Sequence, residues 1–129
     1  MREAISMTPI GTVRSPIVEL ADAPRQPGRP GTAEARIELV GDRHLEHALS
    51  DIEAWRYLWV LFWFHRAEHY RPKVQPPRSA SRRGVLATRS PHRPNPIGLS
   101  VGELVRVEGL TLHVRGADMI DGTPILDLK

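Results

Sequence analysis

The sequence predicts a mainly-β single domain, a small barrel or sandwich with one short helix and no Rossmann nucleotide fold. Three observations carry this. Short alternating or apolar segments recur along the chain, punctuated by 10 Gly and 12 Pro. One stretch, residues 42–54, has helical spacing. No GxGxxG follows a strand, and strands do not alternate with helices.

The elements follow in order. ISMTPIGTVR, 5–14, reads as a broken strand leading to Ser15-Pro16. LADAPRQPGRPGT, 20–32, is a long Pro- and Gly-rich loop, a kind that is usually functional or disordered in so small a domain. EARIEL, 34–39, alternates as a strand. In DRHLEHALSDIEA, 42–54, Leu45, Ala48, Leu49 and Ile52 make one helical face, with Asp42 as its cap. WRYLWVLFWFH, 55–65, is read as a strand buried on both faces. Trp55, Trp59 and Trp63 then share one face and pack as core. HRAEHYRPKVQPPRSASRRG, 65–84, is a mobile basic loop, and GVLATR, 84–89, a further strand. SVGELVRVEG, 100–109, and LTLHVRGADMI, 110–120, form a hairpin turning at Glu108-Gly109. DGTPILDLK, 121–129, is a turn with Asp first, then a last strand.

Composition narrows the function. A chain of 129 residues fits one domain, 1–129, with a core of its own. It has no cysteine, hence no disulfide, thiolate zinc site or thiol nucleophile. The N-terminus lacks a signal peptide's apolar core, and YLWVLFWF, 57–64, is too short to span a bilayer. A soluble cytoplasmic protein without membrane partner is expected. His65 and His69 stand four apart, but HRAEH is not HExxH, so no metal is expected. There is no P-loop and no nucleophile elbow.

The charge is more informative. Of 18 basic residues, 16 are Arg, the residue of bidentate phosphate and carboxylate contacts. From His65 to Arg93, eight Lys/Arg face one acid, Glu68. That local field suits a polyanion such as nucleic acid.

SPHRPNPIG, 90–98, is the densest motif. Its prolines fix φ and push Ser90, Arg93 and Asn95 toward extended geometry. A stiff loop presenting polar side chains has its ordering cost prepaid. APRQPG, 23–28, and DGTPILDLK have the same character, and three such segments in one small domain suggest that they meet at a pocket.

GVLATRSPHRPNPIGLSVGEL, 84–104, followed by DMIDGTPILDLK, 118–129, closely resembles the TrmO/TsaA-like (YaeB-like) family. IGTVRSP, PRQPG, ARIEL and LWVLFWFHR extend the resemblance over nearly the whole chain. GDRH departs from it where members often carry a Pro-aromatic element. The resemblance implies a small β-barrel, a homodimer, S-adenosylmethionine as cofactor and tRNA as partner. The implied reaction is methyl transfer to N6 of N6-threonylcarbamoyladenosine beside the anticodon of threonine tRNA. It further implies that Pro24, Arg25, Gln26, His65, Arg66, Arg89, Leu99, Asp121, Gly122, Thr123 and Pro124 line the cofactor site. Arg93 and Asn95 would be aimed into it from a proline-frozen wall. Asp121 or His65 would take the N6 proton, and Arg71, Arg78, Arg82 and Arg83 would hold tRNA backbone. Two other readings remain: a non-catalytic S-adenosylmethionine- and tRNA-binding barrel, and a methyltransferase for a small-molecule acceptor.

Overall fold

The computed structural model describes residues 2–16 and 34–129. Six strands close into a barrel in the order β1-β2-β7-β6-β3-β8. They are β1 Gly11–Arg14, β2 Glu34–Leu39, β3 Tyr57–Trp63, β6 Ile97–Glu108, β7 Thr111–Arg115 and β8 Pro124–Leu128. Every pairing is antiparallel, and closure leaves the barrel no free edge. Two short strands, β4 Lys73–Val74 and β5 Arg83–Gly84, make a separate ladder beside it.

The interior is filled by matching volumes across β3 and β6. Leu58, Val60 and Phe62 point inward, and their register partners are Gly102, Ser100 and Gly98. Bulk on one strand meets space on the next, a common solution inside small barrels. Val13, Ala35, Ile37, Leu112, Val114 and Ile125 complete the core. Strand β6 serves two neighbours, β3 along its first half and β7 along its second, with a register shift between Leu104 and Arg106 where it turns the corner.

The strand over 34–39 has the predicted bounds. Several other expectations are corrected. Strand β3 alternates instead of burying both faces. Trp55 and Trp59 stand on the outside, 68% and 52% exposed, and are not core. Odd positions of β3 face outward because only the even ones meet the Gly and Ser side of β6. The helix over 42–54 is one turn, α1 Leu45–Ala48, followed by a 3-10 turn at Ile52–Ala54. His44, not Asp42, stands at its start, and positive φ at His44 and Asp51 ends helical continuity on both sides. GVLATR is not a strand, because Val85–Ala87 winds into a 3-10 turn. The 65–84 stretch contains the β4–β5 ladder. The hairpin turns at Gly109-Leu110, one residue later than predicted. Gly109 alone of the pair has positive φ, 61°, as a type II′ turn requires. In the C-terminal turn, Ile120 O accepts from Thr123 N at 3.1 Å, which makes Asp121 its second residue, not its first.

Candidate functional site

The SPHRPNPIG loop is held from both sides. Phe64 N donates to Pro96 O at 2.7 Å, and Arg71 N to His92 O at 2.9 Å. Without their own N–H groups, the prolines offer carbonyls and stiffness to the segment after β3. Arg93 reaches back over the 3-10 turn. Its Nη1 donates to the carbonyls of Thr88 (2.6 Å), Val85 (3.1 Å) and Ser90 (3.3 Å). Arg93 is thus a half-buried clamp on its own loop, while Asn95 is exposed and its carbonyl accepts from Ile97 N at 2.6 Å.

Two cavities share this loop as a wall. The first, about 190 Å³, is lined by Phe62, Trp63, Phe64, Met119 and Ile120, with His65, Arg66, Arg89 and Thr123 among its polar residues. Gly122 stands close by: a Cβ there would sit 3.8 Å from His65 Nε2, and its φ of 84° disfavours any side chain. Partial burial and the neighbouring Arg66 charge lower the His65 pKa from its ordinary 6.5, which favours the neutral ring. The second cavity is an open cleft of about 1060 Å³, lined by Arg71, Lys73, Arg78, Arg82 and Arg89 among others. Arg89, Pro91 and His92 border both.

Charge is partitioned over the surface. The barrel arginines Arg14, Arg56, Arg106 and Arg115 each pair with a glutamate. Among the described residues, no carboxylate pairs with Arg71, Lys73, Arg78, Arg82 or Arg83. Cations without a carboxylate partner thus gather along and beside the cleft.

Of the predicted cofactor residues, His65, Arg66, Arg89 and Thr123 meet at the smaller cavity. Pro24, Arg25 and Gln26 lie outside the described residues. Leu99 is on the outer face and gives its carbonyl to Arg89 Nη2 at 2.7 Å. Asp121 accepts the Ser15 N–H at 3.0 Å and lines a different groove, with Arg14, Glu34, Arg36 and His113. Gly122 N donates to Val13 O, and Pro124 pairs with Thr12 in the barrel wall. Arg71, Arg78 and Arg82 share the cleft, whereas Arg83 lies on β5 outside its lining. Sequence reasoning missed Trp63 and Phe64 as cavity walls, and also Asp118, Met119, Ile120, His92 and Lys73. Met119 and Ile120 close the strand predicted over 110–120, but that strand stops at Arg115, and the two apolar residues turn into the cavity wall just before the DGTP turn.

The model for the tRNA-methyltransferase O N-terminal domain matches residues 12–129. The chain is 43% identical over 126 residues to a mouse tRNA (adenine(37)-N6)-methyltransferase, covering 94% of this chain and 29% of that protein. It is 41% identical over 128 residues to the Escherichia coli protein of that name, covering 93% and 54%. It is 44% identical over 123 residues to an S-adenosyl-L-methionine-binding protein of Archaeoglobus fulgidus, covering 95% and 86%. A crystal structure of TrmO from Pseudomonas aeruginosa superposes with TM-score 0.82 at 39% identity, covering 98% of this chain and 55% of that one. The chain thus spans between about a third and about half the length of the named methyltransferases it matches.

Proposed function

The chain belongs to the tRNA-methyltransferase O N-terminal domain family, and on that footing we propose that it is an S-adenosylmethionine-dependent tRNA adenine-N6 methyltransferase. Its proposed acceptor is N6 of N6-threonylcarbamoyladenosine beside the anticodon of threonine tRNA. The observation that carries this reading is the adjacency of an apolar cavity and a cationic cleft across one wall of Arg89, Pro91 and His92.

The residues present suit the cofactor. Trp63, Phe64, Met119 and Ile120 offer apolar walls to a purine, and Arg66 and Arg89 offer cations to a carboxylate. The cavity is below the ~300–1000 Å³ of drug-sized ligand pockets, so the described walls enclose one moiety and not the whole molecule. When bound, S-adenosylmethionine supplies an electrophilic methyl group on its sulfonium sulfur.

The protein's task is mainly to align the acceptor nitrogen with that methyl. The cleft arginines hold the RNA backbone, and the proline loop keeps the shared wall from yielding. N6 of a urea-like adenosine is a poor nucleophile until its proton leaves. His65, which lines the cavity and whose pKa is lowered, is the proposed acceptor of that proton. Asp121 is the weaker candidate, since its carboxylate anchors Ser15 in another groove.

We extend the proposal to a homodimer joined through the outer face of β3 and β6, where Tyr57, Trp59 and Leu99 are exposed. Sedimentation of wild type against W59E tests it, and a wild-type monomer would remove it. No helix among the described residues is long and apolar enough to cross a membrane. A cytoplasmic place follows from the proposed tRNA substrate.

A second reading is a barrel that binds cofactor and RNA without transfer; the Archaeoglobus relative is named for S-adenosyl-L-methionine binding. Incubation with labelled S-adenosylmethionine and tRNA bearing the unmethylated nucleoside, then nucleoside mass spectrometry, separates the two. Methyl on N6 of that nucleoside supports the enzyme. Binding without transfer supports the second reading.

A further inference from the structure

Asp118 lies in the segment between β7 and β8, and its side chain is 9% exposed. Both of its oxygens are engaged. Oδ1 accepts the hydroxyl of fully buried Ser100 at 2.7 Å, and Oδ2 accepts Arg89 Nη1 at 3.1 Å. Arg89 Nη2 donates to Leu99 O at 2.7 Å. The guanidinium is therefore gripped at both terminal nitrogens, by a carboxylate rooted in the barrel interior and by a β6 carbonyl. Arg89 keeps 40% of its side chain exposed and borders both cavities.

We infer that Asp118 is a positioning residue: it acts through Arg89, holding that guanidinium in the wall that the cofactor cavity and the cationic cleft share. The inference rests on the cofactor assignment proposed above. An Arg side chain held by fewer partners samples more rotamers, and an anion must then bear more of the ordering cost on binding. With Asp118 in place, one orientation is already set. Asp118 also neutralises part of the charge beside the cleft. Removing it therefore weakens cofactor binding but does not weaken RNA binding. A residue that merely supported the fold would weaken both.

The test is a double-mutant cycle on S-adenosylmethionine affinity, measured by calorimetry on wild type, D118N, R89Q and D118N/R89Q. Asn keeps an acceptor for Ser100 and loses the charge. D118N is expected to raise Kd about tenfold, the scale of one charge-assisted hydrogen bond. In the R89Q background it is expected to change Kd less than twofold. RNA affinity of D118N is expected to equal or exceed wild type. An unchanged Kd in D118N, an equal loss in both backgrounds, or a parallel loss of RNA binding overturns the inference. If D118N does not fold, S100A tests the same chain from its buried end: a threefold or larger rise in Kd supports it, and no change overturns it. Wild type without measurable cofactor affinity would instead remove the functional reading beneath it.

Discussion

Gly98 and Phe62 face each other across the β3–β6 ladder so closely that a Cβ on Gly98 would lie 2.3 Å from the Phe62 ring. Real Cβ atoms do not approach that near, so the ring must move. Phe62 is 4% exposed, stacks edge-on against Phe64 at 5.0 Å, and lines the small cavity. One glycine thus links barrel packing to the shape of the candidate cofactor site.

Replacing Gly98 by Ala is expected to destabilise the barrel by about 1–3 kcal/mol, the usual penalty of overpacking. Urea unfolding measures it. Cofactor affinity should fall with it, because Phe62 cannot yield without disturbing the cavity wall. A G98A variant as stable as wild type would show that the ring has room the structure does not show.

Arg93→Lys is expected to loosen the proline loop. A lysine side chain is one atom shorter, so its ammonium stops short of the point from which Nη1 meets the Val85, Thr88 and Ser90 carbonyls. Hydrogen bonds to charged groups contribute roughly 1.5–3 kcal/mol each, and a part of one such bond is the expected loss in global stability. Hydrogen exchange at 85–93 should rise more than at β3. Unchanged exchange there would mean that the prolines alone hold the loop.

His65 sets a pH dependence. Its pKa is lowered in the fold, so the unfolded chain binds the proton more readily. The resulting stability is complete above the unfolded value of about 6.5. It is lost as pH falls through the lowered folded value. Relative to H65Q, wild type should therefore lose denaturation resistance as pH falls from about 6.5 to the lowered folded value, and not on alkalinisation. Methyl transfer should lose its acid limb in H65Q if His65 is the base, and retain it otherwise.

Arg78→Ala and Arg82→Ala are each expected to weaken tRNA binding about uniformly across sequences and to lower the salt slope by about one. Arg83→Ala, outside the cleft lining, should do so less. Filter binding at several salt concentrations checks both. Equal effects at all three sites would mean the field matters and the cleft does not.

Asp121→Asn is expected to retain both cofactor binding and transfer, since an amide oxygen can still accept the Ser15 N–H. Asp121→Ala should lower stability by roughly 1 kcal/mol through the lost hydrogen bond to Ser15 N–H. Loss of transfer in D121N with intact binding would return Asp121 to the role of base and displace His65.

The amino-acid sequence determined the local facts of this protein. Alternation marked Glu34–Leu39, and Gly and Pro marked the turns. The RSPHRPNPIGLS and DGTP motifs identified the family, and arginine clustering located the cationic face. These follow from neighbours along the chain, where period, φ restriction and charge density are already set.

The tertiary structure alone decided which face of β3 turns inward. Period two left that choice open, and it depends on Gly98, Ser100 and Gly102, some forty residues away, leaving room opposite Leu58, Val60 and Phe62. The same limit hid the assignment of polar side chains. Arg93 is a loop clamp, Asp121 a loop anchor, and Asp118 the partner of Arg89, because hydrogen bonding depends on which carbonyls and carboxylates the closed barrel brings within about 3 Å.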